Sequence, residues 1–276
     1  MSAGGPLEYV VLGCGSSGGV PRADGDWGAC DPSNPRNARS RCSLLVRRRS
    51  PAGSGAGPDE DTTILIDTSP DLRLQTASAG VKRIDAVLFT HDHADQAAGI
   101  DDLRAFFLRH RRRTPCYMDS HTSRTLLRRF AYVFEGEGGY PAICDPAALP
   151  DHGVAWSVEG PSGAIPLTTF DQDHGDIRSV GYRIGDVAYS SDVVGLPEAS
   201  FEILEGVRVW IVDALRYRPH PTHATVEQAL GWIERVRPER AILTNLHVDL
   251  DYETLKRELP DGVEPAYDGL SFTCEG

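Results

Sequence analysis

Short apolar runs, many of them β-branched, punctuate the chain. They occur at LEYVVLG (7–13), CSLLVRR (42–48), TTILIDT (62–68), AVLFT (86–90) and PCYM (115–118). A second series follows at IPLTTF (165–170), SVGYRIG (179–185), VAYSS (187–191), VRVWIVD (207–213) and AILTN (241–245). Bounded by Gly, Pro or Asp, these runs read as strands. Helical periodicity interleaves over 96–110, 121–134, 198–205, 225–236 and 251–259. In the fourth of these, Thr225 and Gln228 fit a capping box, and Val226, Ala229, Leu230 and Ile233 form an apolar stripe. The order of strands followed by helices occurs twice. Two packed mixed sheets with helices outside bury every run, which predicts an α/β, four-layer αββα sandwich forming one domain over 1–276. SPAGSGAGPDED (50–61) reads as a flexible hairpin loop and EGEGGYPA (135–142) as a second irregular loop.

Composition narrows the classes. With 40% apolar and 25% charged residues, the 276-residue chain has ordinary soluble-globular content. A formal net charge of −12 argues against a broad nucleic-acid-binding face. The basic clusters RRR (47–49) and RHRRR (109–113) read as solvated loop or helix-end charges. The six cysteines form no CxxC pair, as expected of a reduced, cytoplasmic protein. The first residues lack the basic and long apolar regions of a signal peptide, and no run approaches the ~18 apolar residues of a membrane span. A homodimer is left open.

Chemistry concentrates where strands end. AVLFT runs into His91, His93 and Asp95; His174 follows IPLTTF, Asp192 follows VAYSS, and His247 follows AILTN. TTILIDT and VRVWIVD carry Asp67 and Asp213 near or at their ends. Any one of these has an ordinary explanation: Asp95 as a helix N-cap, a lone His as hydrogen-bonded structure. The repeated placement points instead to convergence on one edge of a sandwich. Imidazoles with carboxylates suit zinc and other borderline divalent ions, and a carboxylate can bridge two of them. Asp67 suits a supporting role, orienting a ligating imidazole through its distal N–H.

On these residues the chain resembles the metallo-β-lactamase-fold hydrolases, whose signature is HxHxDH followed by a later His, Asp and His. Within them it is similar to the phosphoribosyl 1,2-cyclic phosphate phosphodiesterases of phosphonate breakdown. The likeness covers LGCGSSGGVPR (12–22), RCSLLV (41–46), LIDTSPDLR (65–73) and LFTHDHADQAAGIDDLR (88–104). It continues through HGDIRSVGYR (174–183), VAYSSDVVGLPE (187–198), DALRYRPHPTHAT (213–225) and AILTNLHVDLDY (241–252). It implies two divalent ions, Zn2+ or Mn2+, one held by His91, His93 and His174, the other by Asp95 and His247, with Asp192 bridging. It further implies a metal-bridged hydroxide as nucleophile and His223 as the proton shuttle, close to a helix N-terminus that suits an anionic substrate.

Three departures stand out. Gln96 occupies a position where the family has His, and an amide oxygen is a weaker ligand, so the second ion is expected to be looser, more water-bound or manganese. The usual Leu-Thr-His is here Leu-Thr-Asn-Leu-His, so His247 is the expected ligand and Asn245 the alternative. Only Cys30 and Cys42 lie in the region where some members carry a structural zinc, so none is expected. The turn GCGSSGGVPR either needs φ > 0 at its glycines or cradles phosphate, with Ser16 and Ser17 as contacts. Arg178, Arg216 and Arg218 either grip substrate phosphates or form surface ion pairs. The expected activity is hydrolysis of a small phosphodiester, cyclic or nucleotide-like. Alternatives are an RNA phosphodiesterase of the tRNA-maturation type, a thioester or lactone hydrolase, and a non-catalytic metal- or ligand-binding member of the fold.

Overall fold

The computed structural model describes residues 6–50 and 57–274. Six strands build most of the first sheet: β1 (Leu7–Gly13), β2 (Ser43–Arg48), β3 (Thr62–Ile66), β4 (Ala86–Leu88), β5 (Thr114–Met118) and β6 (Cys144–Ala148). The second sheet holds β7 (Trp156–Val158), β8 (Ile165–His174), β9 (Ile177–Ile184), β10 (Val187–Ser190), β11 (Val209–Asp213), β12 (Arg240–Thr244) and β13 (Val263–Pro265). The chain then returns as β14 (Ser271–Cys274), antiparallel to β1 at the edge of the first sheet. Strand orders are β14-β1-β2-β3-β4-β5-β6 and β13-β12-β11-β10-β9-β8-β7. Each half runs antiparallel and then switches to parallel, at β3–β4 in one sheet and at β10–β11 in the other. The mirrored element order of the sequence is thus a mirrored topology.

Layering explains why the strand sequences are continuously apolar. Leu7, Tyr9, Leu44, Ile64 and Leu88 on the inner face of one sheet pack with Ile165, Tyr182, Tyr189, Ile211 and Ile242 on the other. The outer face of the first sheet, including Val10, Leu45, Leu65 and Val87, is covered by helical residues such as Leu72, Ala97, Leu126 and Val133. Trp210, Val212 and Leu243 on the outer face of the second sheet meet Leu204, Val226, Ala229, Ile233 and Leu255. The central strands β2, β3, β4, β10 and β11 are buried on both faces, so their residues have no solvent side on which to alternate.

The helices are α1 (Leu72–Ser78), α2 (Ala94–Ala97), α3 (Arg104–His110), α4 (Ser120–Arg129), α5 (Ala131–Glu135), α6 (Glu198–Leu204), α7 (Val226–Val236) and α8 (Tyr252–Glu258). The predicted helix 96–110 is broken at Gly99, whose N–H donates to Thr68 O at 2.8 Å. A Cβ there would lie 2.0 Å from Ser69 O, so only glycine lets the backbone approach, and a 3-10 turn over Ile100–Leu103 intervenes. The predicted helix 121–134 breaks at Phe130, whose φ of −122° leaves the helical region while its ring packs on the outer core. Of the predicted capping box, Thr225 Oγ1 accepts from Gln228 N at 3.1 Å, whereas the Gln228 amide donates to Val194 O. Half of the predicted loop 50–61, residues 51–56, lies outside the described residues, and Pro58–Glu60 forms a 3-10 turn.

The cluster at 47–49 is less solvated than expected, whereas the arginines of 109–113 are exposed at a helix end as expected. Arg47 and Arg48 lie within β2 and are buried, Arg47 donating to Glu8 at 2.5 Å and Arg48 to Ala164 O. Arg109 pairs with Asp59 and Arg112 with Asp85.

The glycines that open the GCGSSGG loop are required by contact rather than by φ. A Cβ on Gly13 would stand 2.1 Å from Arg41 O and 2.5 Å from Gln75 Nε2. Gly13→Ala is therefore expected to lower the unfolding free energy by about 1–3 kcal/mol, the usual cost of overpacking, as read from the urea midpoint.

Candidate metal centre

The C-terminal ends of β3, β4, β8, β10, β11 and β12 deliver the polar residues to one edge of the sandwich. Asp67 follows β3 directly, Asp192 lies two residues past β10, and Asn245 follows β12 directly. All three adopt left-handed backbone, with φ of 61°, 59° and 61°. Asp and Asn tolerate that region better than other L-residues, and it turns each short side chain back toward the strand ends. β8 ends in His174, β11 in Asp213, and the segment after β4 carries His91 and His93 into α2.

His91, His93 and His174 converge edge to face, with ring centroids 4.5, 4.8 and 5.1 Å apart. Their tautomers are set from behind. Thr90 Oγ1 donates to Asp67 Oδ2 at 2.8 Å, so it accepts from His91 Nδ1 at 3.0 Å. His174 Nδ1 donates to the Thr222 carbonyl at 2.7 Å. In both rings Nε2 is left as a lone pair. His91 Nε2 is buried and has no hydrogen-bond partner, and His174 Nε2 faces His93 Nδ1 at 3.3 Å. Burial drives His91 down to about 3, so its imidazole is neutral, the form that ligates metal.

Asp192 completes the cradle. Its Oδ1 stands 3.9 Å from the Nε2 atoms of His91, His174 and His223. Burial alone would raise this carboxyl, but the imidazoles of His91, His223 and His174 hold it at about 2. Bonds of 2.0–2.2 Å in a tetrahedral shell set ligand atoms about 3.4 Å apart, close to the spacings found here. Three imidazoles, one of them with an orphaned buried Nε2, and one carboxylate fit a divalent ion of the zinc type.

His223 is two residues before the Thr225 cap of α7. Its Nδ1 lies 2.8 Å from Asp213 Oδ2. Burial opposes a charged imidazole, yet the Asp213 carboxylate overrides it and lifts His223 to about 9. The structure groups His174, Asp192 and His223 within ligand reach, so His223 borders the cradle. Asp95 lies in the first turn of α2, whose N-cap is His93, and burial with the nearby charge of Asp192 raises its carboxyl to about 6. Gln96 is fully buried and its Nε2 donates to Asp192 Oδ2 at 3.0 Å.

Other expected residues lie elsewhere. His247 turns away from the imidazole cluster, its Nε2 2.7 Å from Arg22 and its Nδ1 3.1 Å from Asp249. The shift of two residues along the chain carries it past the turn at Asn245, whose amide nitrogen stands 3.0 Å from His223 Nδ1. Arg178 is an ion-pair partner of Asp171 and Asp173, and exposed Arg218 gives its carbonyl to Arg216. Arg216 also donates to Pro219 O. In the glycine-rich loop, the amides of Gly15, Ser16, Gly19 and Val20 donate to Ser40, Leu246, Ser16 and Arg39 carbonyls, so these four do not face a phosphate. Ser16 is buried and Ser17 exposed. The sequence reading missed Thr90, which links Asp67 to His91, and Arg129, whose Nη1 reaches Asp92 O at 2.5 Å beside the two histidines.

Comparison with known proteins identifies the family. The model of the beta-lactamase superfamily domain matches residues 62–245. The chain belongs to the metallo-β-lactamase-fold superfamily. A solved structure described as a new diphosphatase from the PhnP family is 33% identical, covers 98% of both chains and superposes with a TM-score of 0.83. This is consistent with the phosphodiesterase branch suggested by the sequence motifs. Zn2+-bound PqqB from Methylobacterium extorquens shares the fold at 18% identity and TM-score 0.70, covering 96% of this chain and 99% of its own. An octanoyltransferase of Porphyromonas gingivalis (strain ATCC BAA-308 / W83) is 32% identical over 273 residues, 96% of this chain. The chain spans about half the length of that curated relative, 51%.

The link from Asp67 through Thr90 to His91 has a measurable role. Thr90→Val keeps the backbone donation to Asp67 but removes the hydroxyl that orients the ring. Affinity for Zn2+, measured by competition with a chromogenic chelator, is expected to drop about 10–100-fold with the fold intact.

Proposed function

We propose that this protein is a metal-dependent hydrolase of a small phosphodiester, cyclic or nucleotide-like. The observation that carries the reading is the His223–Asp213 pair held over the three-histidine cradle: a charged imidazole beside a divalent-ion site. His91, His93, His174 and Asp192 would hold a divalent ion, which when bound would supply Lewis acidity toward a phosphoryl oxygen. Asp67 with Thr90, and Thr222 through its carbonyl, keep His91 and His174 in the tautomers that face inward. Asp95 is the acceptor available to orient an attacking water. Asp213 fixes the Nδ1–H of His223 and directs Nε2–H toward the oxygen that leaves phosphorus.

The 33% identity to the PhnP-family diphosphatase over nearly the whole chain supports phosphoryl chemistry. The net charge of −12 favours a small substrate over RNA. The buried thiols of Cys14, Cys30, Cys42, Cys116 and Cys144 support a reducing, cytoplasmic setting, and no helix among the described residues is long and apolar enough to cross a membrane. A second reading, hydrolysis of an acyl thioester, draws support from the relative named octanoyltransferase.

Assay against bis-p-nitrophenyl phosphate, a ribose cyclic phosphate, a short RNA and an octanoyl thioester separates these readings; turnover of the thioester alone would sink the phosphodiester proposal. Asp192→Ala is expected to lose nearly all bound metal and activity, as read by elemental analysis and turnover. Normal values for both would remove Asp192 from the site. His223→Ala is expected to slow cyclic-phosphate hydrolysis by ~10²–10⁴-fold with metal content unchanged. Loss on the p-nitrophenyl ester should be smaller, because its leaving anion needs little protonation. The general acid must be protonated, so wild-type turnover of the cyclic phosphate should fall as pH rises through about 9, and His223→Ala should lack that limb. Equal losses on both substrates would assign His223 a binding or structural role.

A further inference from the structure

The second ion implied by the family resemblance would need Asp95, the outer oxygen of Asp192, and an imidazole from His247. Asp192 and His247 are engaged elsewhere, and Asp95 shares a donor with Asp192. Asp192 Oδ2 already accepts from Gln96 Nε2 at 3.0 Å and from Ser191 Oγ at 2.5 Å. The same Gln96 nitrogen is 3.4 Å from Asp95 Oδ2, so one neutral amide spans both carboxylates. Gln96 is clamped by its backbone, donating to His93 O and accepting from Thr68 N at 2.7 Å. A guanidinium only donates, so His247 Nε2 spends its lone pair on Arg22 and its Nδ1–H faces Asp249. A second cation at His247 would also meet the positive charge of Arg22. Among the described residues the two groups able to hold an ion share His174, and neither includes Asp95 or His247.

We infer that this chain binds a single divalent ion and that the Gln96 amide takes the place of a second cation, holding Asp95 and Asp192 together by hydrogen bonds. The amide satisfies the carboxylate oxygens without adding charge, and Asn245 stands where the sequence motif usually has histidine. Gln96 is a positioning residue that acts through the two carboxylates.

The test is metal stoichiometry, independent of turnover. Protein loaded with excess Zn2+ or Mn2+ and desalted is expected to hold one ion per chain by elemental analysis, with one tight step in calorimetric titration. The double variant Gln96→His, Asn245→His is expected to gain a second step and bind the second ion at least about tenfold more tightly than wild type. Two tightly held ions in the wild type would overturn the inference while leaving the hydrolase reading intact, whereas no ion would overturn both. A folded double variant that still holds one ion would show that Gln96 and Asn245 do not decide the count, and would overturn it. If the double variant fails to fold by circular dichroism, the wild-type stoichiometry decides the question by itself.

Discussion

A buried nitrogen lone pair without a partner costs about 1–3 kcal/mol, and His91 Nε2 is such an atom. The surrounding structure keeps it in that state. Asp67 holds Thr90, Thr90 holds His91 Nδ1, and burial keeps the ring neutral. The two sheets are tied together at the same place, where Val180 N donates to Thr90 O at 2.9 Å and Tyr182 Oη donates to Phe89 O at 2.6 Å. The segment that carries His91 and His93 is therefore fixed from both layers, and a cation between the imidazoles is the natural complement of the unpaired His91 Nε2.

The fold supplies this edge through strand direction. Parallel pairing within each half aims several C-terminal strand ends the same way, and left-handed residues at Asp67, Asp192 and Asn245 reverse the chain abruptly enough to leave their side chains at the centre. Such conformations are tolerated when the surroundings over-determine them, and they cluster at functional sites. The electrostatics follow from the same crowding. Asp192 stays ionised because three imidazoles surround it, and His223 stays charged because Asp213 lies against its far nitrogen.

Much of this was legible in the sequence, because the signals were local. Continuous β-branched runs gave the buried strands, and ligand types at strand ends gave His91, His93, His174 and Asp192. The edge strand β6, CDPAA, was not legible: its Pro146 breaks the strand signal, and an edge position is where a sheet accepts proline. Helix α1 and Thr90 gave no strong pattern. His247 was misplaced because a two-residue shift past a left-handed turn reverses where an imidazole points, and only the backbone at Asn245 shows that. The three arginines expected to meet substrate were flagged by nearness in sequence, whereas Arg178 pairs across its own hairpin with Asp171 and Asp173.

His91 Nε2, His93 Nδ1, His174 Nε2 and Asp192 Oδ1 converge on one centre. Anomalous diffraction at the zinc edge, from crystals of zinc-loaded protein, tests it most directly. The account predicts one strong peak within about 2.0–2.2 Å of those four atoms and no comparable peak beside Gln96. A peak at His247 without one at the three histidines, or no peak at all, would contradict it.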